Sequence, residues 1–318
     1  MRIGQNQKYG SSTTLPGKTI NKLTERPTLK LGTWNVRSMM GGYSENLQEI
    51  DDSRKTAIIN NELLRLQIDI STLQETRFAD SGTIKEKDYT FYWQGKGTEE
   101  RREHGVGFAV KNSLVCMIKP GTNSSERLMN LQLNTTDGPV TLISVYAPTL
   151  NSPPEDKDKF YEDLSAMIDS IPSGDQLFLL GDFNARVGND VESWPSCLGK
   201  FNVGKMNDNG QRLLELCASH NLCITNSFFK TKPQHKVSWM HPRSKQWHQL
   251  DIIITRRKFL KCVLSTRTYH SADCDTDHSL VSCKVKLRPK KFYFGKRKGA
   301  PLIKNSQNNH VKEKKSLG

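Results

Sequence analysis

The chain has 318 residues, of which 35 % are hydrophobic, and a formal net charge of +14 at pH 7. No run approaches the roughly 18 apolar residues of a membrane-spanning helix, and residues 1–12 lack the apolar core of a secretory signal, so we expect neither a membrane partner nor export. The seven cysteines form no C-x-x-C pair, which favours buried thiols in a reducing compartment over disulfides or zinc.

The positive charge is concentrated at the two ends of the chain. Residues 1–30 carry a net +5 and residues 284–318 a net +11, which leaves −2 for the body between them. We predict disordered basic tails at 1–27 and 289–318 around a folded domain at 28–288. Such tails are either solvated flanks, or they hold a polyanion and direct nuclear import; the second interpretation predicts a nuclear protein.

Hydrophobic periodicity predicts a strand at 28–36, a helix at 56–68 and a short strand at 69–73. The sequence between residues 89 and 146 has the pattern of a series of β-strands. Within it, Thr136-Asp137-Gly138-Pro139 is a turn signal that predicts a hairpin. These strands are expected at 89–94, 106–110, 128–133 and 140–146.

The second half begins with a predicted helix at 155–169 and a compact apolar strand at 177–180. An irregular loop at 185–209 and a helix at 211–219 follow. The remaining strands are expected at 236–239, 249–255, 266–270 and 279–287. This order does not fit a purely parallel sheet. It predicts an α/β fold in which two mixed β-sheets pack as a sandwich with the helices outside.

Five short polar motifs stand at the ends of predicted strands. They are Thr33-Trp34-Asn35, Gln74-Glu75-Thr76, Tyr146-Ala147-Pro148, Gly181-Asp182-Phe183-Asn184 and Thr276-Asp277-His278. Together they offer the oxygen ligands that Mg²⁺ prefers, amides that orient, a phenol and a histidine. Because side chains alternate along an extended strand, Asp182 and Asn184 share one face while Phe183 packs on the other. The set has the composition of a metal-dependent phosphodiesterase site.

The ordered motifs resemble the endonuclease/exonuclease/phosphatase superfamily over about residues 29–287. Within it they look most like the endonuclease domain of RTE-type (BovB-like) LINE retrotransposons. The segments that carry the resemblance are GTWNVRSM, LQETR, GVGFAV, SVYAPT, GDFNARVG, QLDIIIT and DTDHSLV. The resemblance implies a four-layer fold and a monomeric phosphoester hydrolase that uses Mg²⁺ or Mn²⁺.

The resemblance also implies a metal site and a base. Glu75 is expected to be the central ligand of the metal ion and Asp277 a second acidic ligand. Asp182 is expected to take a proton from the attacking water, which Asn184 orients. A surface glutamate and a Gly-Asp turn are the plainer alternatives.

Four further residues complete the expected site. His278 resembles the histidine that contacts the scissile phosphate, and Asp251 the aspartate that hydrogen-bonds this histidine and stabilises its charged form. Asn35 and Tyr146 are expected to stabilise charge on the phosphate. The alternatives are a turn-forming Asn35, a strand-edge Asp251 and a core Tyr146.

Two basic segments are candidates for contact with DNA. Arg101 and Arg102 precede the GVGF strand. A second segment is both basic and aromatic, and its candidate contacts are Lys236, Ser238, Trp239 and Arg243. Such residues contact phosphates and supply affinity without reading sequence. The alternative is a solvated loop with one core tryptophan.

The sequence therefore predicts a Mg²⁺-dependent DNA endonuclease of retrotransposon descent that nicks and leaves a 3′-hydroxyl. Thr149 stands where abasic-repair endonucleases have Asn, which argues against abasic repair more than against nuclease chemistry. Two alternatives stay open. One is a hydrolase of RNA or inositol phosphates on the same fold, and the other is a non-catalytic protein associated with chromatin.

Overall fold

Fifteen strands and three α-helices make up the described part of the chain in this computed structural model, which covers residues 27–41, 54–121 and 125–292. The strands are β1 (Thr28–Asn35), β2 (Ile70–Gln74), β3 (Ser81–Lys85), β4 (Tyr89–Gln94), β5 (Val106–Lys111), β6 (Ile118–Pro120), β7 (Leu128–Thr135), β8 (Gly138–Tyr146), β9 (Gln176–Asp182), β10 (Leu222–Ile224), β11 (Trp239–Met240), β12 (Trp247–His248), β13 (Asp251–Arg256), β14 (Val263–Tyr269) and β15 (Leu280–Lys286). The α-helices are α1 (Lys55–Arg65), α2 (Pro154–Asp169) and α3 (Asp208–Ser219), and short 3₁₀ helices lie at Asn112–Met117, Thr225–Ser227, Pro233–Lys236 and Arg257–Cys262.

The strands form two large mixed sheets and one small one. The first sheet has the order β14-β15-β1-β2-β5-β4-β3, the second has the order β10-β13-β9-β8-β7-β6, and β11 pairs with β12. The pairs β1–β2 and β8–β9 are parallel. The two large sheets share one buried core, in which Leu31 and Phe108 of the first sheet lie with Leu131, Phe178 and Ile253 of the second. The prediction of two mixed sheets is confirmed.

Helices cover the outer faces of both sheets, because each helix has one apolar stripe to bury. Ile59 and Leu63 of α1 are buried with Phe91 of the first sheet. On the other side, the second sheet shares a core with α2 and α3, to which α2 contributes Phe160, Leu164 and Ile168 at a spacing of one helical turn. The layers therefore run helix, sheet, sheet, helix, as the sequence predicted.

The polar motifs meet at one end of the sandwich because of how the strands are paired. The parallel strands β1 and β2 place Asn35 opposite Gln74, so that Glu75 follows at the same edge. The parallel strands β8 and β9 place Tyr146 opposite Asp182. Each sheet thus delivers two of its motifs to one end of the molecule.

Two later strands bring the remaining motifs to the same end. Strand β13 runs antiparallel to β9 and begins with Asp251 opposite Asp182. Strand β15 runs antiparallel to β1, so His278 precedes it at the end where β1 finishes. The site is therefore shared between the two sheets.

Some predictions of local structure were wrong or incomplete. The strand expected at 236–239 begins only at Trp239, because residues Pro233–Lys236 form a 3₁₀ helix. Strands β3, β6, β10 and β12 were missed; they are short, and β3 is an edge strand whose residues are exposed or half-buried. All seven cysteines are free and five are buried, but Cys116 is exposed and Cys262 is half-buried.

Two further expectations concern the tails and membranes. The expected disordered tails fall mainly on residues 1–26 and 293–318, which lie outside the described residues. In the described ranges, no helix combines the length and the apolar character that a membrane crossing requires.

Candidate functional site

A cleft of about 710 Å³ opens at the end of the sandwich where the motifs meet. The predicted site residues among its lining are Glu75, Tyr146, Asp182, Asn184, Trp239, Asp277 and His278. Asn35 and Asp251 are almost fully buried and contact these residues from behind. The structure therefore brings together every predicted catalytic and metal-binding residue.

Asn35 joins two carboxylates from different sheets. Its Nδ2 donates hydrogen bonds to Glu75 Oε1 and to Asp182 Oδ2, each at 3.0 Å. Its Oδ1 accepts a hydrogen bond from the Arg37 backbone N–H at 3.0 Å. The amide is 1 % exposed, so it is held in one orientation. The distance between the two carboxylates is therefore set by a single buried side chain.

Glu75 is ionised and held by donors on both oxygens. Tyr146 donates its hydroxyl hydrogen to Oε1 at 3.2 Å, and Arg77 donates to Oε2 at 2.6 Å. Burial alone would raise the pKa of Glu75, but the hydrogen bonds from Asn35 and Arg77 outweigh it and lower the pKa. Glu75 follows β2 directly, and its backbone is left-handed, with φ of 53°. This conformation costs backbone strain in a non-glycine residue, and such strain is typical of functional sites.

Asp182, His278 and Asp251 form a buried chain of ionisable groups. His278 Nδ1 lies 3.0 Å from Asp251 Oδ2, and its Nε2 lies 3.8 Å from Asp182 Oδ2. Burial alone would lower the pKa of His278, but the charges of Asp251 and Asp182 outweigh it and raise the pKa to about 9. Burial raises the pKa of Asp182, with the nearby charge of Asp251 adding to this effect and His278 opposing it. The histidine is therefore charged at neutral pH, and the aspartate beside it is a stronger base than an exposed one.

Ser238 supports this chain from inside. Its side chain is fully buried, and its Oγ accepts hydrogen bonds from the backbone N–H groups of Leu250 at 3.3 Å and Asp251 at 3.1 Å. The hydroxyl is thus not accessible to DNA in this structure, although the sequence placed Ser238 among the candidate DNA contacts. Its observed role is to hold the start of β13.

Asp277 is more exposed than the other acidic groups of the cleft. Trp239 Nε1 donates to Asp277 Oδ2 at 3.0 Å, and Arg37 Nε lies 3.7 Å from Oδ1. The indole ring of Trp239 lies 5.5 Å from the ring of His241 and 5.9 Å from that of His248. The predicted contact residue Trp239 therefore forms one wall of the cleft and fixes a predicted metal ligand.

Asn184 stabilises the loop that carries Asp182. Its backbone N–H donates to Asp182 Oδ1 at 3.0 Å, and its Nδ2 donates to the carbonyl oxygen of Ala147 at 3.0 Å. Its backbone is also left-handed, with φ of 47°. Asn184 also lines the cleft.

The other predicted DNA contacts lie outside the lining of the cleft. Arg101 is exposed and forms an ion pair with Glu103 at 3.1 Å. Arg102 is exposed, and Lys236 lies with its ammonium group 5.6 Å from the centre of the Phe201 ring. Arg243 is exposed in the turn between β11 and β12. Their contact with DNA stays a prediction.

Several residues of the cleft were not predicted from sequence. These are Arg37, Arg77, Arg186, His241 and His248. A signal was present for two of them, since Arg37 lies two residues after Asn35 and Arg77 two residues after Glu75. Both have left-handed backbone, with φ of 56° and 55°. Non-glycine residues in this conformation cluster at functional sites.

Two acidic groups that line the cleft, Glu75 and Asp277, have the donor chemistry that a divalent cation takes. Mg²⁺ takes oxygen ligands, retains several waters and usually binds one or two carboxylates. Glu75 is ionised and Asp277 is solvent-accessible, and a carboxylate has about four acceptor positions, which leaves capacity on both groups.

A second group could also hold a metal ion. Ligand atoms of Asp182, Asp251 and His278 all lie within 4.8 Å of one another. This group is buried, and the Nδ1 of His278 is occupied by Asp251. The group of Asp182, Asp251 and His278 is therefore better suited to proton transfer than to the binding of a hydrated Mg²⁺ ion.

The chain is similar to curated proteins from two ruminants. It is 30 % identical over 287 residues to craniofacial development protein 2 of Bos taurus, an alignment that covers 90 % of this chain and 46 % of that protein. It is 31 % identical over 260 residues to the protein of the same name from Tragulus javanicus, covering 82 % and 42 %. The chain thus spans less than half the length of these relatives.

Solved structures with the same fold are more distant in sequence. The catalytic domain of Xenopus laevis APE2 superposes with a TM-score of 0.59 at 18 % identity, covering 83 % of this chain and 94 % of that one. The endonuclease domain of TRAS1, a telomere-specific non-LTR retrotransposon, superposes with a TM-score of 0.55 at 14 % identity, covering 82 % and 99 %. Residues 32–278 match the Endonuclease/Exonuclease/phosphatase family. The chain belongs to this family and has its phosphoester hydrolase fold.

Proposed function

We propose that the chain is a divalent-cation-dependent endonuclease that hydrolyses DNA phosphodiester bonds, nicking one strand and leaving a 3′-hydroxyl. The observation that carries the proposal is the link through Asn35, which hydrogen-bonds Glu75 and Asp182 at once. This link couples a carboxylate suited to a hard cation to a carboxylate suited to deprotonate water. Both are needed for hydrolysis of an unactivated phosphodiester.

In this mechanism Asp182 takes the proton of the attacking water. Its raised pKa brings it nearer to the operating pH, where a general base works best. Asn184 fixes Oδ1 of Asp182 through its backbone N–H, which leaves the carboxylate one preferred direction. Asn35 holds the other oxygen.

Charge on the phosphoryl oxygens is stabilised by His278 and Tyr146. His278 is charged at neutral pH because Asp251 and Asp182 flank it, and its side chain is only 7 % exposed, so its charge is weakly screened by water. Tyr146 keeps its proton, since burial raises the pKa of its hydroxyl far above neutrality. Glu75 and Asp277 would hold Mg²⁺, or Mn²⁺, which supplies neutralising charge to the phosphate and the leaving oxygen when bound.

Two observations favour DNA as the substrate. Arginines Arg37, Arg77 and Arg186 line the cleft and suit a phosphate backbone. The structural neighbours include a Neisseria 3′ phosphatase bound to a product DNA hairpin. The resemblance to the TRAS1 domain supports descent from a retrotransposon. The proposal includes a nuclear location, which the basic run Lys296-Arg297-Lys298 supports because such runs serve as import signals.

The test is nicking of supercoiled plasmid in the presence of Mg²⁺ by the intact chain and by the variants Glu75→Ala and Asp182→Ala. We expect each variant to lose activity by at least about 10²-fold, as removal of a charge-stabilising or base group does. Asp273→Asn is the matched control, because Asp273 is acidic and close to the motif in sequence but does not line the cleft. Equal nicking by all four proteins would remove the proposal. Hydrolysis of poly(A) or inositol phosphates in preference to duplex DNA would redirect it to another phosphoester.

A further inference from the structure

A second cavity lies at the end of the sandwich opposite the cleft. It has a volume of about 670 Å³, and its lining includes Gln176, Lys261, Lys286 and Arg288. Gln176 begins β9, the strand that ends at Asp182. Six residues of extended strand span about 20 Å, so this cavity is about 20 Å from the catalytic end. We call the surface formed by Lys261, Lys286 and Arg288 the basic pole.

The three cations of the basic pole have no close acidic partner among the residues that the structure describes. Within residues 27–41, 54–121 and 125–292, none of the three side chains has a hydrogen bond or an ion pair with a carboxylate. Other arginines of the domain behave differently, since Arg54 pairs with Glu86 at 3.0 Å and Arg77 with Glu75 at 2.6 Å. The cavity has one acidic lining residue, Asp137. A cluster of like charges without partners is destabilising by itself, and an anionic ligand relieves that repulsion.

The chain that follows the pole is held on the protein surface. The Thr136 N–H donates to the carbonyl of Arg288 at 2.9 Å, and the Lys290 N–H donates to the carbonyl of Asn134 at 2.9 Å. The side-chain amide of Asn134 donates to the carbonyls of Lys290 at 3.0 Å and Lys291 at 3.3 Å. The β7–β8 hairpin therefore fixes Lys290 and Lys291 beside the pole with their side chains exposed.

We propose that the basic pole binds a second segment of duplex DNA, separate from the segment in the catalytic cleft. The three cations of the basic pole and the neighbouring Lys290 and Lys291 together present five positive charges along one side of the protein. Duplex DNA presents one charge per about 1.7 Å of its axis, which matches such a surface.

The pole and the cleft face opposite directions, so one straight duplex does not reach both. The chain would then hold two DNA segments at once, without reading the sequence of the second one. This inference rests on the proposed function in one respect, because the cleft must hold the first duplex.

The test is the stoichiometry of complexes between the 318-residue chain and a short blunt duplex, measured by native mass spectrometry without divalent cations. Energy transfer between donor-labelled and acceptor-labelled duplexes reports the same bridging in solution. We expect a complex of one chain with two duplexes. The triple variant Lys261→Gln, Lys286→Gln, Arg288→Gln should lose the second duplex and its energy transfer. The dependence of bridging on salt should fall by about 0.9 in logarithmic slope for each lost phosphate contact.

Two variants with the same loss of charge serve as controls. One changes the exposed Lys85, Lys87 and Lys119 to Gln, and the other changes Lys296, Arg297 and Lys298 to Gln. Both should retain more bridging than the pole variant. Equal bridging by all variants, equal losses in all of them, or one duplex per chain in the unmodified protein would each overturn the proposal. So would anionic phospholipid vesicles that bind the pole while DNA bridging is unchanged by the pole variant.

Nicking of the short duplex separates this proposal from the proposed function. All these variants should nick it at the rate of the unmodified chain, because none changes the cleft. Nicking without bridging would remove only the second site. Bridging without nicking would remove only the proposed activity.

Discussion

At the scale of single residues, the site depends on buried charges that stabilise one another. His278 and Asp251 are 7 % and 0 % exposed at their side chains, so neither is solvated when its partner is lost. Removing one member of a buried ion pair costs about 3 kcal/mol, because the other charge stays buried and unpaired. The pair therefore contributes to folding as well as to the chemistry of the cleft.

This contribution predicts a pH-dependent stability difference between the unmodified chain and Asp251→Asn. The folded-state pKa of His278 is raised to about 9 from an ordinary 6.5, so its stabilising effect is complete below pH 6.5 and is lost as the pH rises through 9. Thermal unfolding without divalent cations should show a large deficit for Asp251→Asn near neutral pH that narrows at higher pH. A deficit that does not change with pH would mean that His278 is not charged in the folded protein.

A second residue-level prediction concerns Arg127, which lies behind Tyr146. Its guanidinium lies 5.4 Å from the centre of the Tyr146 ring, donates to the Tyr146 carbonyl at 3.2 Å and lies 3.0 Å from His104 Nε2. Arg127 therefore orients the phenol that contacts Glu75.

If so, Arg127→Ala and Tyr146→Phe should each reduce kcat for nicking by roughly 10-fold, the loss of one hydrogen bond to a charged group. The double variant should lose little more, since both changes remove the same contact. KM should be nearly unchanged, and Arg127→Lys should recover less than half of the lost rate because lysine lacks the planar fork. Additive losses in the double variant would show that Arg127 acts independently of Tyr146.

At the scale of elements, the closeness of strands β8 and β9 decides where Tyr146 and Asp182 lie. Gly181 sits in β9 where a Cβ would collide with the carbonyl oxygen of Val145 on β8. Gly181→Ala should therefore push these strands apart, lower the free energy of unfolding by about 1–3 kcal/mol and reduce nicking.

Gly174 offers the matched comparison just before the same strand. A Cβ there meets no atom within 4 Å, so Gly174→Ala should change the free energy of unfolding by less than about 1 kcal/mol. Chemical denaturation of both variants measures the difference. Similar stabilities for the two variants would contradict the steric argument.

Local patterns were enough to predict the strands that carry the site, but not all of its residues. Asn35, Glu75 and Asp182 follow apolar strands directly, so their positions are visible in the sequence. The contact of Arg127 with Tyr146 depends on the pairing of β7 with β8, which is a tertiary feature. The burial of Ser238 likewise depends on its contact with β13, which the sequence does not reveal. For that reason a serine in a basic segment was predicted to contact DNA at the surface.

At the scale of the whole molecule, a cation bound at Glu75 and Asp277 would stabilise the folded state but not the unfolded state. Mg²⁺ at about 100 times its dissociation constant should add about 2.7 kcal/mol to the free energy of unfolding. We expect this as an increase in Tm for the unmodified chain and for Asp273→Asn, but not for Glu75→Gln. The same increase in Glu75→Gln would place the cation elsewhere.

The order of strands also governs when the site can form during synthesis. Among the described strands β15 is the last in sequence, yet it lies between β14 and β1 within the first sheet. His278 arrives with it, whereas Asp182 is made almost a hundred residues earlier. A nascent chain that has not yet released β15 therefore contains Asp182 without a placed His278, and its first sheet lacks the strand that lies between β14 and β1. Asp182 and His278 can therefore lie together in the cleft only after β15 has paired with β1.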